Sequence, residues 1–120
     1  MTTDAYITYQ LVIELKQAAT VCVGKLGQFH FPAGRYVYTG SARRGLEARI
    51  RRHLGQGKKC HWHIDYLLTL PEARVTEVKR SRKGECAKNQ QIQGQILAPG
   101  FGASDCKQGC GSHLKYLGPL

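Results

Sequence analysis

Residues 34–53 constrain the fold more than any other stretch, because they change from a strand pattern to a helix pattern across a single turn. Tyr36, Val37, Tyr38 and Thr39 are all β-branched or aromatic and stand between Gly34 and Gly40, the punctuation of strand ends. Ser41 is placed to cap the helix beyond it. There, Leu46, Ile50, His53 and Leu54 recur at the spacing of one helical stripe. Arg43, Arg44, Glu47, Arg51 and Arg52 fall off that stripe. Arg49 falls beside it, one turn before His53, so its guanidinium is expected to border the core rather than stand in solvent.

The same stretch carries much of the charge. Eighteen Lys and Arg against eight Asp and Glu leave a formal charge of +10, and a pI of 9.7 is the electrostatic footprint of a nucleic-acid binder. Eight of the cations lie between residues 35 and 59, against the single carboxylate of Glu47. One helix and the loop after it thus concentrate positive field in the way phosphate contacts require. Arg43, Arg44, Arg51, Arg52, Lys58 and Lys59 are the candidate phosphate contacts.

Around this centre the chain reads as one domain over residues 1–120, the length of a single core. Residues 6–15 alternate (Ile7, Tyr9, Leu11, Ile13 and Leu15 against Thr8, Gln10, Val12 and Glu14) and predict a half-buried strand, with residues 20–23 as its antiparallel partner. Residues 24–33 predict a loop or a short extension of that hairpin. A short buried helix is expected over residues 60–68, stopped by Pro71, then an edge strand over 74–79. Ser81 is placed to cap a second helix that starts near Glu85 and carries Cys86, Ala87, Ile92 and Ile96; a last strand is expected over 112–117. No run approaches the roughly 20 apolar residues of a membrane span, and the first residues lack a signal-peptide pattern. The expected location is cytoplasmic, where the five cysteines would be reduced thiols or metal ligands rather than disulfides.

Several separated motifs carry a resemblance. Tyr38-Thr39-Gly40, Leu46-x-x-Arg49 and His53 are similar to the second half of the signature and the following helix of the GIY-YIG nuclease superfamily. Gly34-x-Tyr36-x-Tyr38-x-Gly40-Ser41-Ala42, Gly45-Leu46, residues 61–67, residues 101–106 and Ser112-His113-Leu114 resemble a small, functionally uncharacterised branch of it, found alone or fused to DNA-repair endonucleases. The resemblance implies an α+β fold with a small, mainly antiparallel central sheet of about three core strands flanked by helices. It also implies divalent-metal-dependent cleavage of phosphodiester bonds, with DNA a better match than RNA as partner and no membrane involved. On that likeness the catalytic residues are Tyr9, Tyr38, Arg49, His53 and Glu85, with Glu85 holding one Mg²⁺ or Mn²⁺ ion. The alternative is a non-catalytic nucleic-acid-binding module on the same fold.

The residue types suit the chemistry. A hard divalent ion can be held by one carboxylate, waters and a substrate phosphate, and Arg49 would stabilise charge that builds on the phosphate. Taken alone, Tyr9 reads as a core tyrosine, and Glu85 as a carboxylate favoured by a helix N-terminus. Cys60, His61, His63, Cys106, Cys110 and His113 offer enough ligands for a structural zinc. Their spacing matches no standard finger, which favours buried thiols and a hydrogen-bonded His beside a packed Trp62.

Overall fold

Period-2 patterning produces the central strand. In the computed structural model, which describes residues 6–42, 44–55, 60, 62–103 and 109–120, β1 (Thr8–Leu15) points Tyr9, Leu11, Ile13 and Leu15 into the core. Its neighbours on both sides are antiparallel: β4 (Gly34–Ser41) and β5 (Ala73–Ser81). With β6 (Leu114–Gly118) on β4, the main sheet has the order β5-β1-β4-β6, so there are four strands rather than about three.

The segment 20–23 does not pair with β1. As β2 (Ala19–Val23) it pairs with β3 (Gly27–Phe31), in the stretch read as a loop or a short extension of the hairpin, to make a separate two-stranded sheet. Both edges of β1 are already taken by β4 and β5, so the hairpin folds on itself and sends Val23 and Phe31 into the shared core.

Three helices complete the α+β fold among the described residues: α1 (Leu46–Leu54), α2 (His63–Leu68) and α3 (Glu85–Gln90). Leu46, Ile50 and His53 of α1 pack on the Tyr9 face, as the stripe predicts, but Leu54 is 50% exposed. Ser41 stays in β4 and caps nothing; Gly45 occupies the N-cap of α1 without a side-chain hydrogen bond. Helix α3 is shorter than expected and ends before Ile92 and Ile96. Ser81 is the last residue of β5, and its hydroxyl accepts the Lys83 N–H.

The two ends of β1 differ. Toward Thr8 its second face is also buried: Thr8 Oγ1 donates to the Lys83 carbonyl (2.6 Å), and Gln10 Nε2 donates to Thr39 Oγ1 (3.1 Å) and to the α3 carbonyl of Lys88 (3.3 Å). Helix α3 therefore covers this end opposite α1. Both helices converge on the strand ends that hold Tyr9 and Gly40.

Candidate active site

Antiparallel register brings the two candidate tyrosines to one face. Tyr9 stands opposite Gly40 and Leu11 opposite Tyr38, and the two tyrosine rings lie 6.3 Å apart. Gly40 is what admits the first ring: a Cβ there would lie 2.5 Å from both Cζ and Oη of Tyr9. Gly102, at φ +66, backs the second ring, where a Cβ would lie 2.8 Å from Tyr38 Cε1, and its N–H donates to His63 Nδ1 (2.8 Å).

Helix α1 delivers Arg49 and His53 one turn apart on the side that meets this face. His53 Nε2 sits 2.7 Å from the Tyr9 hydroxyl and the imidazole is 3% exposed. Arg49 donates to the Ser41 carbonyl (2.7 Å), and its charge acts on the Tyr9 hydroxyl, favouring the ionised form. Both Arg49 and Arg52 lie over the Trp62 ring, at 4.7 and 4.4 Å from its centre, which orders the two guanidiniums.

Behind His53 lies a carboxylate that spacing did not single out. Asp65, fully buried, receives both arms of Arg52 (2.9 and 3.0 Å) and the Trp62 N–H (2.9 Å). Its Oδ1 stands 3.9 Å from His53 Nδ1, so a line of contacts runs Tyr9, His53, Asp65, Arg52. The sequence signal was available: an acid three residues after an N-cap satisfies the N-cap N–H.

Charge and burial fix the state of the rings. Burial pushes the Tyr9 hydroxyl well above its usual range, with Arg49 opposing the shift and Glu85 adding to it. Tyr38 moves the same way, first through burial, then through Tyr9 and Glu85. Both therefore stay protonated at neutral pH. Glu85, at the start of α3, adds to the rise at both hydroxyls from the opposite layer, and Tyr9, Tyr38, Arg49, His53 and Glu85 all lie toward the same end of the sheet.

Glu85 has a second partner. Its Oε2 is 3.0 Å from His113 Nδ1, an ion-pair distance rather than an aligned hydrogen bond. The other ring nitrogen faces Cys86 Sγ at 3.8 Å, and the ligand atoms of Cys86, Cys110 and His113 all lie within 4.8 Å of one another. These three residues can hold a metal ion. Cys86 is 24 positions before Cys110, too far for a spacing argument to join them. Of the other soft ligands, Cys60 is exposed and His63 is bonded to Gly102, while His61 and Cys106 lie outside the described residues.

The candidate phosphate contacts divide. Arg44 and Arg51 are exposed; Arg43, Lys58 and Lys59 lie outside the described residues. Arg52 is engaged by Asp65, which makes it a structural cation rather than a free one. The end of β5 adds Lys79, Arg82 and Lys83 beside the site, because Arg80 stands opposite Tyr9 and pairs with Glu47 of α1. Asn89, one turn after Glu85, is buried and donates to the Ser112 carbonyl (2.8 Å). A cleft of about 650 Å³ opens elsewhere, between His53 and Gly55 of the α1 end and residues 68–75, and does not include the tyrosines.

A four-stranded antiparallel sheet with helices on both faces and a buried tyrosine pair at one end defines the class of this domain. The chain belongs to the family described as Domain of unknown function DUF123, whose model matches residues 8–119. That match overturns the expected kinship with the GIY-YIG superfamily: DUF123 is a distinct family, and no GIY-YIG model matches. The departures are physical as well. Ile7 stands where the signature's first glycine belongs, and the 28 residues between Tyr9 and Tyr38 build the β2–β3 sheet. No curated protein and no solved structure matches the chain. Among the described residues no helix is long and apolar enough to cross a membrane.

Proposed function

We propose that this protein hydrolyses phosphodiester bonds in nucleic acid, DNA before RNA, using one Mg²⁺ or Mn²⁺ ion held by Glu85. The observation that carries the reading is the meeting of two protonated tyrosines, a guanidinium and a carboxylate at one end of the sheet, beside exposed cations. Tyr9 can take a proton from an attacking water as it passes its own to His53 Nε2, 2.7 Å away. Asp65, facing Nδ1, steadies the imidazolium that results. Arg49, already ordered by Ser41 and Trp62, meets the charge that grows on the phosphate. A divalent ion on Glu85 would supply Lewis-acid stabilisation of the leaving oxygen. Arg44, Arg51, Lys79, Arg82 and Lys83 would track the phosphate backbone.

The test is cleavage of branched, single-stranded and duplex DNA, with RNA alongside, across a metal series. Glu85→Gln should abolish metal-dependent cleavage while binding persists. Arg49→Ala should slow it by about 10²-fold or more, the scale of one deleted electrostatic stabiliser. A second reading, a binding module without catalysis, draws on the 2% exposure of Tyr9, which leaves its ring little contact with solvent. Tight, salt-sensitive binding with no cleavage under any metal would select it.

A further inference from the structure

Where α3 meets the entry to β6, two thiols and an imidazole face one another with the backbone around them already fixed. We propose that Cys86, Cys110 and His113 form a binding site for one thiolate-preferring divalent ion, Zn²⁺ by chemistry. Its three ligands take no part in the cleavage reading, although Glu85 borders both sites. Tetrahedral zinc at about 2.3 Å from sulfur and about 2.0 Å from nitrogen holds its ligand atoms roughly 3.5–3.8 Å apart. Cys86 Sγ and His113 Nε2 are at 3.8 Å, and a contraction of up to about 1 Å from the 4.8 Å limit would close the rest of the triangle. Two sulfurs and an imidazole select Zn²⁺ or Co²⁺ over Mg²⁺ or Mn²⁺, which prefer oxygen. Binding releases the two thiol protons to solvent.

The groups behind the ligands match a metal site. His113 turns Nε2 to the thiol and Nδ1 to Glu85 Oε2 at 3.0 Å, so a small rotation of the carboxylate would give the pairing that fixes the tautomer of a ligating imidazole. Gln90 Nε2 donates to Cys110 Sγ at 3.5 Å. The backbone of His113 is tied on both sides, its N–H to the Phe101 carbonyl (2.8 Å) and its carbonyl to the Thr39 N–H (2.9 Å). Asn89, from the same helix as Cys86, holds the Ser112 carbonyl. An ion here would clip α3 to β6, and Glu85 would serve it as a positioning residue.

The test uses the full chain, purified under reductant and then loaded with Zn²⁺ or Co²⁺. Elemental analysis should find one zinc per chain, and Co²⁺ should give a thiolate-to-cobalt charge-transfer band with the visible bands of tetrahedral cobalt. Cys86→Ser and Cys110→Ser should lose that stoichiometry, whereas Cys22→Ser and Cys60→Ser, at exposed thiols, should keep it. Glu85→Gln should retain one zinc but weaken its affinity about 10–100-fold in chelator competition, a readout separate from cleavage. No bound zinc, a cobalt spectrum without charge transfer, full occupancy in the Cys86 and Cys110 variants, or a Cys86–Cys110 disulfide in the purified protein would each overturn the site. The cobalt spectrum is taken on the unaltered chain, so it decides the matter even where a variant fails to fold.

Discussion

Gly40→Ala tests the packing on which the candidate site depends. The added methyl would lie 2.5 Å from Cζ and Oη of Tyr9 and 3.0 Å from Cε1, whereas carbon atoms rest at about 3.5–4.0 Å. The ring must therefore withdraw by roughly 1 Å, which lengthens its 2.7 Å contact with His53 beyond hydrogen-bonding range. Overpacking costs about 1–3 kcal/mol and the broken buried hydrogen bond about 1 kcal/mol, so a destabilisation of about 2–4 kcal/mol is expected. At roughly 4 °C per kcal/mol for a chain of this size, Tm should fall by about 8–16 °C. Gly40 has no positive φ, so backbone strain adds nothing. The decisive measurement is a double-mutant cycle by urea denaturation with Tyr9→Leu, which removes Cε, Cζ and Oη. In that background Gly40→Ala should cost less than about 0.5 kcal/mol, leaving a coupling of about 1.5 kcal/mol or more. Equal cost in both backgrounds would refute the argument that Tyr9 lies across Gly40.

Asp65→Asn should destabilise the fold by about 2–4 kcal/mol; the usual cost of breaking a buried pair is moderated because the Arg52 side chain is 30% exposed, and thermal denaturation reads it. Tyr9, Tyr36 and Tyr38 all have hydroxyls raised above the usual value of 10.0, chiefly by burial. Their unfolded forms ionise first, so stability should hold at neutral pH and decline above about pH 10; urea midpoints across pH check this, and tyrosinate absorbance should rise together with unfolding. Arg44→Ala with Arg51→Ala should reduce the slope of log affinity against log salt by about one unit for each phosphate that is no longer neutralised. If the double variant binds DNA with an unchanged slope in a salt titration, those side chains do not face the backbone.

The local elements were legible because their signals are local. Alternation gave β1 its buried face, and the Leu46, Ile50, His53 stripe predicted how α1 packs and that Arg49 borders the core. Pairing was not legible: β2 follows β1 in the chain, yet both edges of β1 are claimed by strands that come later. No periodicity reveals which of several similar strands wins an edge. The same limit hid the pairing of Asp65 with an arginine 13 residues earlier, although its bond to the Trp62 N–H is local, and it hid Cys86, which meets Cys110 and His113 only through the fold. Tyr9, Tyr38 and Glu85 were reachable through a family likeness that the DUF123 match replaces, so their shared neighbourhood rests on register and charge.

The nine-residue strand β5 forms one margin of the main sheet, with its outer backbone groups unpaired by any strand among the described residues. Such a margin is a template on which another chain can add, and Arg74, Lys79 and Arg80 crowd it with positive charge while the irregularity opposite Val12 and Ile13 bends it. Replacing these cations with neutral, β-branched residues should therefore do more than lighten the basic surface. It should leave a long ribbon edge without its charged guard, and the expected result is concentration-dependent self-association, visible as a rising particle mass in light scattering.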